Sequence, residues 1–588
     1  MYTNDKNAQI VLALLKKYNI RKIVISPGTT NVPIARAVQT DNFFEAYSVI
    51  DERSAAYFAT GLSHESNEPV AISCTGATAS RNYLPALTEA YYRNLPIIAI
   101  TSQTNVNDYA CFKPQSINRT FSQADVKRLS INLPFIKDSE DEKACILLIN
   151  KALTLATAKG CGPVHINLPV NLSKALVFNT DNLPNVPKIY YLQTEDLLYG
   201  SCLSQLKEQL NGKKIGLLIG SHRKFSQKET NAIEKFINTY NVTVFYDHTS
   251  NYHGKNKILS SVAAGLRKID IKPDLVIDIG GVTGIYSISG LLKGIEFWRI
   301  SEDGEFHQRY FGCLRKQFDC SEYQFFNSLG EISRGGGYGD KYYNAVKKEI
   351  GEVIIPDLPF SNTFISSQMA LKLPEGCSFH IGASESFSCM NLFELKESID
   401  SSCNVGTMGI DGSVSTLVGQ SMFNKNKLYF GQFGDLTFFY DMNILGNRHI
   451  GNNLRILLIN NGGGARFRLS PPELKGLGKD VEEYIGAFGH NGSAEGWTKS
   501  MGFEYICANN KEEFLLLIDD FCSPDINKFD KPVFFEVFTT VKNEQDGLSL
   551  IKNANKSAKD HAKGKVKNII KQVLPEKMVN AIKKIREK

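Results

Sequence analysis

The sequence predicts an α/β protein of three doubly wound parallel-sheet domains, and two observations carry that prediction. Short unbroken apolar runs, each bounded by Gly or Asn, alternate with stretches of helical periodicity. Such runs suit strands buried on both faces of a parallel sheet. The alternation also recurs in three blocks separated by polar segments rich in Pro or Gly, the rhythm of repeated βα units.

The first block, residues 1–180, supplies the strand candidates 21–26 (RKIVIS), 69–74 (PVAISC) and 96–102 (PIIAITS), with helical stretches at 52–63 and 81–94. It closes with the strand and exit loop of PVHINLPVNLSKAL, and the linker NTDNLPNVPKIYYLQ (179–193) follows. The second block, 194–345, carries 214–220 (KIGLLIG) and 274–280 (DLVIDIG) and ends in SRGGGYGD (333–340). The third, 355–545, carries 454–460 (LRILLIN) and resembles the first in size and style. A tail, 546–588, remains.

Composition narrows the function classes. At 588 residues, 42% hydrophobic and 22% charged, the chain has ordinary globular chemistry and room for three to four domains of about 150 residues. No apolar run approaches the roughly 18 residues of a membrane-spanning helix. The N-terminus is already amphipathic (Ile10, Val11, Leu14, Leu15, Tyr18) and lacks a secretion signal's pattern. The twelve cysteines are scattered singly, with no zinc or disulfide framework. A cytoplasmic location is the expectation. The net charge of +6 belongs to the tail, where residues 551–588 hold eleven Lys and one Arg against Asp560, Glu576 and Glu587. The body is net acidic, which argues against nucleic-acid binding. Apolar stripes at Val566, Ile569, Ile570, Val573 and Leu574, then at Met578, Val579, Ile582 and Ile585, make the tail a basic amphipathic segment. Peripheral contact with an anionic membrane surface is one expectation, and packing on its own body is the other.

The strongest chemical signal lies in the third block. Gly434-Asp435 precedes a helical stretch and the strand 454–460, which ends in Asn460-Asn461-Gly462-Gly463-Gly464. The 26 residues from Asp435 to Asn461 fit a loop, a helix and a strand. Both ends can then meet at the carboxyl edge of a parallel sheet, where ligands of such folds bind. A carboxylate, an amide oxygen and the Gly463 carbonyl are hard oxygen ligands suited to Mg2+. The glycines would let backbone amides approach a phosphate. Taken singly, the two elements read as a helix cap and a turn.

Together they resemble the metal-binding motif of the thiamine-diphosphate-dependent enzymes. ISPGTTNVPIARAV (25–38), IDERSAAYFATGLS (50–63) and CTGATASRNYLPALTEAYYRNLPIIAITS (74–102) look like the pyrimidine-binding domain of that superfamily. The SPG loop, DERSAA and GIDGSVST (409–416) look most like the 2-succinyl-5-enolpyruvyl-6-hydroxy-3-cyclohexene-1-carboxylate synthases of menaquinone synthesis. The resemblance implies pyrimidine-binding, central and diphosphate-binding domains in that order, with thiamine diphosphate and Mg2+ as cofactors. It places Asp435, Asn461 and Gly463 on the metal, and Pro27, Gly28, Thr75, Ser384, Asp411, Gly412 and Gly434 around the cofactor. Ile410 would prop the cofactor into its bent shape. Glu52 would be catalytic, bonding the aminopyrimidine ring so that the imino tautomer takes the thiazolium C2 proton. Burial would raise its pKa. Family geometry implies a homodimer or homotetramer, with Glu52 and Asp435 of one site on different protomers.

The substrate positions depart from the pattern. Thr30, Ser388 and Val405 stand where those synthases carry arginines for multiply charged acids, and GVTGIYSISG (281–290) lacks the expected basic pair. Three charge-assisted bonds at about 1.5–3 kcal/mol each amount to roughly 5–9 kcal/mol if additive. Thr29, Gln115 and a new cation at Arg466 remain beside Thr30 as substrate-facing candidates. The expectation is a decarboxylase–carboligase joining a smaller or less charged 2-oxo acid to an acceptor carbonyl, in specialised biosynthesis. The alternatives are a simple 2-oxo acid decarboxylase, a true menaquinone-pathway synthase and a non-catalytic cofactor-binding scaffold.

Overall fold

The computed structural model describes residues 1–104, 110–111, 113–119, 123–189, 200–303, 309–330, 340–469 and 481–556. The tail stripes from Val566 onward, the end of the 179–193 linker and nearly all of 333–340 lie outside the described residues. Among the described residues no helix is long and apolar enough to cross a membrane.

Three six-stranded sheets form, and every pairing within them is parallel. The first holds β1 (Lys22–Ile25), β2 (Glu45–Ser48), β3 (Val70–Thr75), β4 (Ile97–Gln103), β5 (Leu129–Asn132) and β6 (Val164–Pro169), in the order β2-β1-β3-β4-β6-β5. The second holds β7 (Lys214–Ile219), β8 (Asn241–Tyr246), β9 (Lys257–Leu259), β10 (Leu275–Ile279), β11 (Glu296–Ile300) and β12 (Cys313–Phe318), in the order β12-β11-β10-β7-β8-β9. The third holds β13 (Ser378–Ile381), β14 (Asp400–Ser402), β15 (Tyr429–Gly434), β16 (Leu454–Asn460), β17 (Glu504–Ala508) and β18 (Val533–Phe538), in the order β14-β13-β15-β16-β18-β17. Counted from its own first strand, the third sheet repeats the order of the first. Each apolar run named above becomes a strand, because a strand covered by helices on both faces hides every side chain.

The first and third sheets share one core. The Glu52–Ser66 helix of the first region crosses the Ser413–Ser421 helix of the third, and a single apolar cluster runs from Ile72 and Ile97 through Phe58 and Leu62 to Leu417, Val418 and Leu458. Glycine makes the crossing close. A Cβ on Gly61 would lie 1.9 Å from the Thr416 carbonyl oxygen, and one on Gly419 would lie 2.0 Å from that of Phe58. At the far end of the same helix, the Glu65 carboxylate accepts bonds from Lys224 Nζ (2.9 Å), Lys427 Nζ (3.1 Å) and Ser378 Oγ (3.0 Å). Asp400 pairs with both lysines at 3.0 Å. Burial pushes the Asp400 carboxyl up, but His253, Lys224 and Lys427 overcome it and hold the group well below the usual range. This network joins all three sheets, while the central domain keeps its own core on each face of its sheet.

Candidate active site

In both the first and third sheets the chain leaves its opening strand toward one side and returns on the other. The crevices at the carboxyl ends of β1/β3 and β13/β15 are therefore topological switch points, where open α/β sheets bind ligands.

At the third-sheet edge, Gly434 ends β15 and Asp435 opens the Asp435–Asp441 helix. β16 pairs with β15 in parallel, so Asn461 emerges beside Asp435. The Asp435 Oδ2 atom accepts the backbone N–H groups of Asn461 (3.1 Å), Gly462 (2.8 Å) and Gly463 (3.0 Å), and His490 Nε2 lies 3.2 Å away. Oδ1 accepts the Leu436 N–H at 2.7 Å. The glycines thus turn their amides onto the carboxylate, whereas the sequence pattern suggested amides for a phosphate. The difference follows from Gly462 and Gly463, whose φ values of 81° and 157° curl the loop back over Asp435. A Cβ on Gly463 would strike Phe488 at 2.6 Å. Burial raises the Asp435 carboxyl, and its backbone donors and His490 only partly offset it.

Asn461 is the informative neighbour. Its Oδ1 is buried with no hydrogen-bond partner, an expensive arrangement for an amide oxygen. Its side chain also bonds Glu544, a carboxyl that burial pushes up to about 7 against bonds from Thr539 and the Asn362 N–H. A free amide oxygen beside a buried carboxylate and a glycine carbonyl forms a hard-oxygen donor set. These residues fit a small divalent cation. His490 escaped the sequence reading: it lies 55 residues from Asp435, in a loop tied back by the Gly489 N–H to the Gly462 carbonyl.

At the first-sheet edge, Glu52 opens the Glu52–Ser66 helix, and Asp51 caps it by accepting the Arg53 and Ser54 N–H groups. Glu52 is half-buried. Burial raises its carboxyl, its own backbone N–H lowers it and the charge of Asp51 raises it further. Its charge is felt by the buried Cys74 thiol and Tyr83 hydroxyl. Pro27, Gly28 and Thr29 are exposed at the end of β1. Gly28 has φ 151°, and a Cβ there would lie 1.9 Å from Thr75 Cγ2, so only glycine fits against Thr75. Thr30 donates its hydroxyl to the Ser102 carbonyl at 3.0 Å, and Gln115 sits exposed in a turn with φ 63°.

The remaining candidates divide. Ser384 holds a strained φ of 71° three residues beyond β13, and Ile410 is half-buried on the GIDG loop. Asp411 accepts the Tyr57 hydroxyl at 2.8 Å, and Gly412 (φ 72°) packs on that ring, where a Cβ would come within 2.0 Å. Both are therefore engaged with the first region of the same chain. Val405 is buried. Arg466 reaches Glu385 Oε2 at 3.1 Å and Ser388 Oγ at 3.4 Å, so a guanidinium arrives at position 388 from another loop.

Paired switch-point crevices, one offering a helix-start carboxylate and the other an oxygen-ligand cradle, agree with the thiamine-diphosphate enzyme class that the comparisons show. The family model for the thiamine pyrophosphate enzyme N-terminal TPP-binding domain matches residues 5–129. The 2-succinyl-5-enolpyruvyl-6-hydroxy-3-cyclohexene-1-carboxylate synthase of Bacteroides thetaiotaomicron is 33% identical over 564 residues, covering 92% of this chain and 97% of that protein. The corresponding synthase of Christiangramia forsetii is 28% identical over 583 residues, with 93% and 98% covered. A thiamine diphosphate-dependent 4-hydroxybenzoylformate decarboxylase from Rhodococcus jostii RHA1 shares the fold, with a TM-score of 0.67 at 15% identity over 91% of this chain and 99% of that one. The chain belongs to the thiamine-diphosphate-dependent enzymes, in the family of the 2-succinyl-5-enolpyruvyl-6-hydroxy-3-cyclohexene-1-carboxylate synthases.

Proposed function

We propose that this protein uses thiamine diphosphate and Mg2+ to decarboxylate a 2-oxo acid and joins the resulting acyl anion to an acceptor carbonyl. The observation that carries the reading is the partnerless Asn461 Oδ1 beside the Asp435 cradle. When bound, the cofactor supplies the carbon nucleophile and the electron sink. The chain's own residues do the rest. Asp435, Asn461 and the Gly463 carbonyl would hold the cation, with His490 and the loop amides fixing Asp435. Glu52 would exchange a proton with the aminopyrimidine ring, and burial raises its carboxyl above the ordinary range. Ile410, half-buried on the GIDG loop, would prop the bound cofactor.

A homodimer is the smallest assembly that completes this site. The Asp435–Asp441 helix touches the Glu52 helix through Asp441, whose Oδ1 accepts Ser54 Oγ at 3.3 Å. Asp435 stands six residues away at the other end, about 9 Å along the axis. Among the described residues no hydrogen bond or ion pair joins Glu52 to the cradle. Ile50 is 78% exposed and Tyr440 53% exposed, and a second copy seated there would cover them.

With Thr30, Ser388 and Val405 in place of arginines and one guanidinium arriving from Arg466, the donor is a 2-oxo acid with few further charges. The test is a donor screen with thiamine diphosphate and Mg2+, following carbon dioxide release with and without carbonyl acceptors. Carboligation predicts that adding an acceptor diverts product away from free aldehyde. Aldehyde accumulation unaffected by every acceptor would make the protein a simple decarboxylase. Tight, specific use of 2-oxoglutarate with isochorismate would overturn the charge-poor donor.

A further inference from the structure

Behind the carboxyl edge of the first sheet lies a small cavity of about 30 Å3, whose polar lining includes Arg81, Tyr83, Thr101, Arg119, Lys127 and His165. Arg119 is 7% exposed, and one nitrogen, Nη1, donates to Thr101 Oγ1 at 2.5 Å. Its Nε and Nη2 are buried without a partner. Thr101 Oγ1 is also 2.8 Å from His165 Nε2 and donates to Asn167 Oδ1 at 3.2 Å, and Asn167 Nδ2 is a further buried donor without an acceptor. Lys127 Nζ lies 3.5 Å from His165 Nδ1, and Ser130 Oγ lies 3.0 Å from the same atom.

The charges here are of one sign. Burial pushes Lys127 down to about 8 with the Arg81 guanidinium adding to the effect, and burial with Lys127 and Arg119 holds His165 neutral. Burial likewise lowers Arg119 to about 10. The one group that favours its charge is the Cys74 thiol, itself pushed up to about 12 and so uncharged. Among the described residues no carboxylate pairs with Arg81, Arg119 or Lys127. A buried guanidinium with two idle donors is costly unless something negative sits on it. Water would satisfy the hydrogen bonds but not the charge. The cavity has room for about one or two small groups.

We infer that this cavity is an anion site, in which Arg119 Nε and Nη2 bind one small monovalent anion, either free in solution or the carboxylate end of a small organic acid. The site stands beside the cofactor-binding edge, since a Cβ on Gly76, next to Thr75, would lie 3.5 Å from Arg119 Nη1. The inference does not depend on the reaction proposed above.

Bromide is the probe. Crystals of the full chain grown without halide and soaked in bromide should give an anomalous peak within hydrogen-bond reach of Arg119 Nε and Nη2, and crystals of Arg119→Gln should not. In solution, bromide added to a gluconate background at constant ionic strength should raise the melting temperature of the wild type. The concentration needed should increase by about tenfold or more in Arg119→Gln, with a smaller increase in Lys127→Met. Lys127→Met keeps the test open should the arginine variant fail to fold. Displacement of the bromide peak by pyruvate would assign the site to an organic acid, and persistence would assign it to a free ion. Ordered water alone in the wild-type cavity, or an equal bromide peak in Arg119→Gln, would overturn the inference.

Discussion

The first and third sheets are two copies of one strand order within a single chain, yet their edges carry opposite chemistry. At the third, the loop after β16 spends three backbone amides on Asp435 and leaves an amide oxygen free, a setting for a cation. At the first, Glu52 receives no comparable cradle, and the nearby orphan groups include the donors of Arg119, a setting for proton exchange and for an anion. Topology fixes where the crevice lies. The few residues beyond each strand fix what it holds, and the same fold supports both roles because those residues are free to differ.

The largest effect should come from removing the group at the first edge that is proposed to carry a proton to the cofactor. Glu52→Gln should lower cofactor-dependent carbon dioxide release by about 10²–10⁴-fold while leaving cofactor binding by calorimetry nearly unchanged. Unaltered turnover would remove the contrast between the edges. At the third edge, Asp435→Ala should weaken Mg2+ binding by more than about 100-fold, and His490→Ala by roughly 10–100-fold, because the histidine only positions the ligand. Equal losses would make His490 a ligand in its own right.

Smaller effects should arise where the copies are held together. Gly61→Val would drive a side chain into the Thr416 carbonyl, which cannot swing aside, and should cost about 1–3 kcal/mol or more, read as a lower melting temperature. Asp400→Asn should cost roughly 1–3 kcal/mol near pH 7. The sign follows from its depressed folded-state pKa: the stabilisation is complete above the unfolded value near 4 and is lost progressively as pH falls from there through the lower folded-state value. Denaturation of wild type and variant should therefore converge in acid, and a pH-independent difference would locate the effect in packing instead.

Much of this contrast is legible in the sequence, for identifiable reasons. Strands buried on both faces leave unbroken apolar runs, so 96–102 and 454–460 announce themselves, and the spacing of Asp435 and Asn461 already fits a loop, one helix and one strand between them. Asp51 before Glu52 reads as a helix cap, which it is. The direction of the loop amides is not legible, because it depends on positive φ values at Gly462 and Gly463. Nor is His490, which reaches Asp435 only after a loop folds back, or the hydrogen bond that Asp411 accepts from Tyr57 of the first region. Arg119 looks like any loop arginine until the sheet buries it.

The central claim is that Glu52 of one protomer works with Asp435 of its partner. Co-expression of Glu52→Gln and Asp435→Ala chains, each inactive alone, tests it directly. If the site is shared, mixed dimers contain one site with both residues intact, and random pairing should restore roughly a quarter of wild-type turnover. Activity remaining at the level of the single variants would place both residues of each site on the same chain and contradict the account.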